Sequence, residues 1–199
     1  MLNAKVKILL YANNIWMLGE GLFGPLYAVF TAQIGGSVLD ITWAWAVYLV
    51  VTGVSIVFVG AISDRPGIKR KLLVAGYGLN ALCTFAYLWV DVPWKLFVVE
   101  GGLGLAAALA TPTWYALYST YQPKNERGFS WGLAQGQSKI LLAISMVIGG
   151  FVVSYASFEL LFISMGAIQV IALIIQAQIF RWEDTELRRV KKRVKRAAA

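Results

Sequence analysis

The chain has 199 residues, of which 59% are apolar and 14% charged, with a net charge of +8 and no histidine. Soluble chains carry about 25% charged residues; here the charges cluster between long apolar runs, which points to a membrane protein and away from a soluble nucleic-acid binder. With no histidine and only Cys83 as a thiol, a His- or Cys-type metal site, an intrachain disulfide and a histidine base are excluded. No P-loop motif is present, and neither enzymatic activity nor a cofactor is expected.

A bilayer core of roughly 30 Å needs about 20 apolar residues in a helix. Six stretches meet that length: 8–33, 41–62, 72–90, 96–121, 128–156 and 160–180. The first is too long for a signal-peptide core and shows no convincing cleavage site, so it is expected to stay as a span. The runs lack the alternation of barrel strands, and in lipid the remaining solution is a helix bundle. The expected fold is therefore an all-α integral membrane bundle of six helices in residues 1–180, with a basic tail over 181–199.

Basic residues set the orientation. All of the 18 lie before span one, after spans two and four, or after span six, except Lys95 and Lys139. That side is read as cytoplasmic, with both termini inside and the protein in the inner or plasma membrane. The basic tail is expected to lie on anionic lipid.

Between spans two and three stands Gly60-Ala61-Ile62-Ser63-Asp64-Arg65-Pro66-Gly67-Ile68-Lys69-Arg70-Lys71. This segment resembles the signature loop of the major facilitator superfamily, through Gly60, Asp64, Arg65, Gly67 and Lys69. The glycine-rich stretch Leu18–Pro25 in span one and Gly102, Gly104 and Pro112 in span four are similar to that family as well. Two departures stand out. Val98 occupies the place of an arginine common in the family, and Ser145 and Met146 stand where exporting antiporters often carry Gly-Pro before Gly149-Gly150. The resemblance implies two inverted three-helix repeats per six-helix half, and two such halves in a transporter. A weak echo of Gly24-Pro25 at Thr111-Pro112 fits the first statement. For the second, a homodimer about an axis along the membrane normal is expected, with a truncated half of a longer transporter as the alternative.

Glu20, Glu100 and Lys139 lie inside spans, where an unpaired charge costs about 2.5–3.5 kcal/mol at mid-depth. Glu20 and Lys139 sit at matching depths, roughly 18–20 Å from the basic side at 1.5 Å per residue, and are expected to form an ion pair. Glu100 falls nearer the opposite face and is expected to snorkel in part. Helical spacing puts Asn13, Trp16, Glu20, Gly24 and Tyr27 on one stripe of span one, and Glu100, Gly104, Ala107, Thr111, Trp114 and Tyr118 on one of span four. Trp131, Gln135, Lys139 and Leu142 form a third stripe, in span five.

In the family spans one and four line the central cavity and span five flanks it. The resemblance therefore implies substrate contacts at Asn13, Trp16, Glu20, Tyr27, Trp114, Tyr115, Gln135 and Gln137, while the placing of ionisable groups inside spans, with no histidine to carry a proton, leads to an expectation of proton coupling or ion pairing at Glu20, Lys139 and Glu100. It also implies a gate at the Asp64 loop, where Asp64 meets the start of span five in the other half. Asn80, Gln169 and Gln176 are read as interhelical contacts. The expected function is secondary transport, or symport, of a small solute such as a sugar or another neutral polar molecule, coupled to protons and working by alternating access. A drug or metabolite exporter and a non-transporting membrane scaffold are the alternatives.

Overall fold

The computed structural model describes residues 4–65 and 67–197, and side chains through residue 180 apart from that of Lys124. Its elements are α1 (Ala4–Gly21), α2 (Tyr27–Gln33), α3 (Val38–Ser63), α4 (Ile68–Ala86), α5 (Pro93–Tyr121), α6 (Arg127–Tyr155) and α7 (Phe158–Ala197). They supply six helical segments long and apolar enough to cross a bilayer, the first made of α1 and α2 together. The expected six-helix membrane bundle is thus the fold. The basic side chains of 181–199, assigned to anionic lipid in the sequence, lie outside the described residues.

The first span is not one rod. Pro25 has no N–H, and its ring would collide with the carbonyl four residues earlier. The helix accordingly stops at Gly21, turns through a 3-10 segment at Gly24–Leu26 and resumes at Tyr27. Pro112 has a different outcome: α5 runs through it, and the Thr113 hydroxyl donates to the carbonyls of Leu109 at 2.7 Å and Ala110 at 2.9 Å. The two proline sites are therefore alike in sequence but not in local structure.

The turns follow from their residues. Gly35, at φ +78°, ends α2; its N–H donates to Ala32, and the Gly36 N–H donates to Thr31. This is a left-handed glycine stop that satisfies the last carbonyls of the helix. Ser37 and Asp40 then cap α3 reciprocally, with the Ser37 N–H donating to the Asp40 carboxylate at 2.7 Å. Gly67, at φ +76°, opens α4, which explains that glycine in the loop motif by backbone conformation alone.

Within the bundle, α5 packs between α3 and α4, α1 packs between α6 and α7, and α4 lies against α7. Exchanging spans one to three for spans four to six leaves this set of pairings unchanged. Lipid gives helices little hydrophobic reason to associate, so close packing at small residues has to hold them. A Cβ on Gly76 would lie 2.8 Å from the backbone of both Ala106 and Ala110. One on Gly104 would lie 2.6 Å from the Tyr48 carbonyl, and one on Gly149 would collide with the Leu22 carbonyl at the break in span one.

Polar contacts mark the two ends. At one, Lys5 of α1 stands 4.9 Å over the Tyr121 ring at the end of α5, and Tyr121 shares a small cleft with Asp64, Arg65, Lys69 and Arg70. At the other, Lys95 pairs with Asp91 at 2.6 Å, which holds the Asp91 carboxyl below its usual range.

Gly149→Ala should destabilise the protein by about 1–3 kcal/mol, because the added methyl meets backbone that cannot swing aside. Gly150→Ala meets nothing within 4 Å and should be neutral or slightly stabilising through its helix propensity. Melting temperatures of the two variants in detergent check the contrast.

Candidate functional site

The spans enclose a cavity of about 610 Å³ whose wall draws on every one of them. From span one come Asn13, Trp16, Glu20, Gly24 and Tyr27, at helical spacing on one face. From span four come Glu100, Ala107, Thr111, Trp114 and Tyr115, and from span five Gln135, Lys139 and Leu142. Gly104 and Tyr118 of the expected span-four stripe are outside the wall: Gly104 backs onto α3, and the Tyr118 hydroxyl donates to the Ser130 carbonyl at 2.6 Å. Trp131 is also outside the wall and packs against Trp114, Tyr115 and Tyr118. The cavity is open along one side, where Trp45, Tyr115, Gln135 and Lys139 are exposed.

Glu20 is held differently from the expectation. Its Oε1 accepts from Asn80 Nδ2 at 3.0 Å and from Gln169 Nε2 at 3.2 Å, and Gln169 Nε2 also donates to the Trp16 carbonyl. Among the described residues no ion pair joins Glu20 to Lys139, although both are on the wall. Matching depth was not enough, because α1 turns Glu20 toward α4 and α7, where amide donors from both helices converge on it. Burying the carboxylate against neutral donors avoids the desolvation of a second charge.

Glu100 does not snorkel. It is buried, and the Tyr87 hydroxyl donates to its Oε1 at 2.6 Å. The nearby Lys95 is taken by Asp91 instead. Tyr87 in turn stacks on Phe162 at 5.1 Å and meets Phe23 edge-on at 5.0 Å, which fixes its ring.

Two further links tie span one to span five. Asn13 Nδ2 donates to Ser138 Oγ at 2.8 Å, and Asn14 Nδ2 donates to Gln137 Oε1 at 3.0 Å. Gln137, expected as a substrate contact, is not among the residues of the cavity wall, and its Oε1 is engaged by Asn14. Trp114 is anchored by its indole N–H on the Leu9 carbonyl at 3.1 Å and by a parallel stack on Tyr118 at 4.7 Å. Gln176 is fully buried without a hydrogen bond among the described residues.

The wall also holds residues that the sequence reading did not place there. Tyr77, Asn80 and Thr84 line it from α4, Tyr87 from the 3-10 turn after α4, and Trp45 and Tyr48 from α3; Asn80 also makes the interhelical contact expected of it, to Glu20. Their spacing of three and four was a readable signal, because it repeats the period of the span-one stripe.

The loop motif lies at the Lys5 end. Asp64 is exposed and meets Lys69 at 3.5 Å, and the Ser63 hydroxyl donates to the Gly60 carbonyl at 2.8 Å. Gly60 has open space around it.

A family model, the Major Facilitator Superfamily, matches residues 9–199. The chain belongs to that superfamily. Its members are transporters rather than enzymes. The chain is similar to an uncharacterized MFS-type transporter of Methanocaldococcus jannaschii, at 24% identity over 89% of this chain and 45% of that protein. It is also similar to a multidrug efflux protein of Bacillus subtilis, at 34% identity over 52% of this chain and 26% of that protein. The chain thus spans less than half the length of both relatives.

Tyr87→Phe should lower stability by about 1–2 kcal/mol, since it leaves the buried Glu100 carboxylate without its phenol donor. Tyr11→Phe, at an exposed position, should leave it unchanged. Thermal unfolding in detergent distinguishes the two.

Proposed function

We propose that the chain is one six-helix half of a secondary transporter that moves a small solute by alternating access. The observation that carries this reading is the cavity, where two carboxylates and a lysine from three different spans face one volume inside an otherwise apolar bundle. Intramembrane ionisable groups are costly and cluster on substrate or ion paths. A scaffold needs interhelical bonds such as Asn14–Gln137, but it has no need of a solute-sized space lined with charge.

The basic clusters favour a cytoplasmic location for the Lys5 end and for both termini, in the inner or plasma membrane. The exchange symmetry of the helix pairings supports two inverted three-helix repeats. The open side of the cavity faces the second half. That half is a second copy, parallel to the first because an even number of spans returns both termini to one side. Exposed Asp64 then meets the start of α6 in the other copy, where a helix N-terminus stabilises a carboxylate, and this contact closes the cytoplasmic gate. With Cys83 replaced by serine, Asp64→Cys and Gly128→Cys together should give an oxidative cross-link between copies, seen as a band of doubled mass. No cross-link, or one confined to a single longer polypeptide, counts against the homodimer.

Protons couple through Glu20 and Glu100, the two carboxylates on the wall. A neutral polar solute has fewer free partners than the sequence suggested, since of the expected amide contacts Asn13 is engaged by Ser138 and Gln137 by Asn14. This favours the exporter alternative, and the naming of one relative as a multidrug efflux protein agrees with it. In proteoliposomes Glu20→Gln should abolish accumulation driven by a pH gradient while sparing downhill exchange. Gradient-driven accumulation at the unaltered rate overturns the coupling.

A further inference from the structure

We propose that Gln169, which lies behind the cavity wall, is a positioning residue for Glu20: its amide clamps one carboxylate oxygen against the backbone of α1 and leaves the other to the cavity. The proposal rests on the reading of Glu20 as a coupling group, and adds to it a residue that is not itself on the wall.

The first argument is the way the amide divides its hydrogens. Gln169 stands midway along span six, the most apolar of the six, and is 1% exposed. A polar group there needs a partner, and the Trp16 carbonyl, at 3.2 Å, would be enough to join α7 to α1. Nε2 carries a second hydrogen, and that one goes to Glu20 Oε1, also at 3.2 Å. Trp16 and Glu20 are one turn apart on α1, so a single planar amide spans backbone and carboxylate and fixes one relative to the other. Asn80 Nδ2 reaches the same oxygen from α4 at 3.0 Å. Among the described residues Oε2 has no hydrogen bond, and Glu20 lines the cavity. The carboxylate thus has a held side and a presented side.

The second argument is what the clamp requires of its surroundings. Gln169 Oε1 is buried without a partner among the described residues. Turning the amide over would set that oxygen against a carbonyl and a carboxylate, both acceptors. Glu20 and Trp16 therefore dictate the orientation, and an unsatisfied oxygen is tolerated for it. α1 also omits a side chain to admit the amide: a Cβ on Gly19 would stand 2.6 Å from Gln169 Nε2 and 3.1 Å from its Cδ. Gln176 supplies the contrast. It follows two turns later on the same face of α7, is fully buried, and has no hydrogen bond among the described residues. Burial of an amide in this helix does not by itself bring a partner; Gln169 has one for each hydrogen.

Dicyclohexylcarbodiimide, an apolar reagent that modifies carboxyl groups, tests the clamp without a known solute. The full chain is labelled in detergent, and modification of Glu20 is read by peptide mass against Glu100 as internal standard. Gln169→Leu should speed modification of Glu20 relative to Glu100 by about tenfold, as loss of a hydrogen bond to a charged group implies. Gly19→Ala, which displaces the flexible end of Gln169 and keeps its chemistry, should act in the same direction and add nothing in the Gln169→Leu chain. Gln176→Leu should leave the ratio unchanged. Gln169→Asn, whose amide is too short to reach both acceptors, replaces the leucine variant where that one does not fold. A ratio unaltered by the Gln169 variant and by Gly19→Ala, or raised equally by Gln176→Leu, overturns the positioning role whatever the chain transports. A raised ratio in a chain whose gradient-driven accumulation is unaltered by Glu20→Gln supports the clamp and overturns the coupling reading instead.

Discussion

The constraint that orders this structure is the absence of water in the bilayer core. Every backbone N–H and C=O there must find a partner within the protein. That demand makes the six spans helical, and it makes the one interruption informative. At Pro25 the chain leaves the helix and resumes a turn later, and α6 fits around the break. Gly149 has no side chain, so the Leu22 carbonyl can lie against it; Gly21 in turn faces Ser145. Ser145 and Met146, which stand in place of an exporter's Gly-Pro, lie against Gly21 and Gly24 on either side of the break's start.

The same constraint governs the ionisable groups. Charges that enter the membrane need partners, and this bundle supplies neutral ones. Glu20 takes amides from α4 and α7, and Glu100 takes a phenol from the 3-10 turn that follows α4. These bonds link the helices and leave both carboxylates on the cavity wall. Packing and site are thus made from the same side chains. Span one contributes on both counts: Asn13 and Asn14 of α1 fasten it to α6, while Trp16 and Glu20 of α1 and Tyr27 of α2 face the cavity.

On one part of the cavity wall Trp45, Tyr115, Gln135 and Lys139 stand exposed. An exposed lysine and glutamine on an otherwise lipid-compatible surface suit a face that meets water or another helix bundle. Exposed Asp64 lies at the Lys5 end of the bundle, in the cleft that Tyr121 shares.

Hydropathy in the sequence was enough to determine the membrane class and the six spans, because length against bilayer thickness needs no knowledge of contacts, and the resemblance of the loop Gly60–Lys71 pointed to the family. Helical spacing also identified the cavity face of span one, since i, i+3 and i+4 neighbours share a face in any helix. Partner choice was decided only by the tertiary structure. Glu20 and Lys139 have matching depth along their helices, but depth does not say which way a helix is turned about its axis. Rotation of α1 presents Glu20 to Asn80 and Gln169, and rotation of α6 presents Gln137 to Asn14. Pro25 and Pro112 likewise have different outcomes: the chain breaks at Pro25, where the Leu22 carbonyl lies against Gly149 of α6, and α5 runs through Pro112. Those outcomes depend on packing between segments far apart in the chain, and no local pattern encodes them.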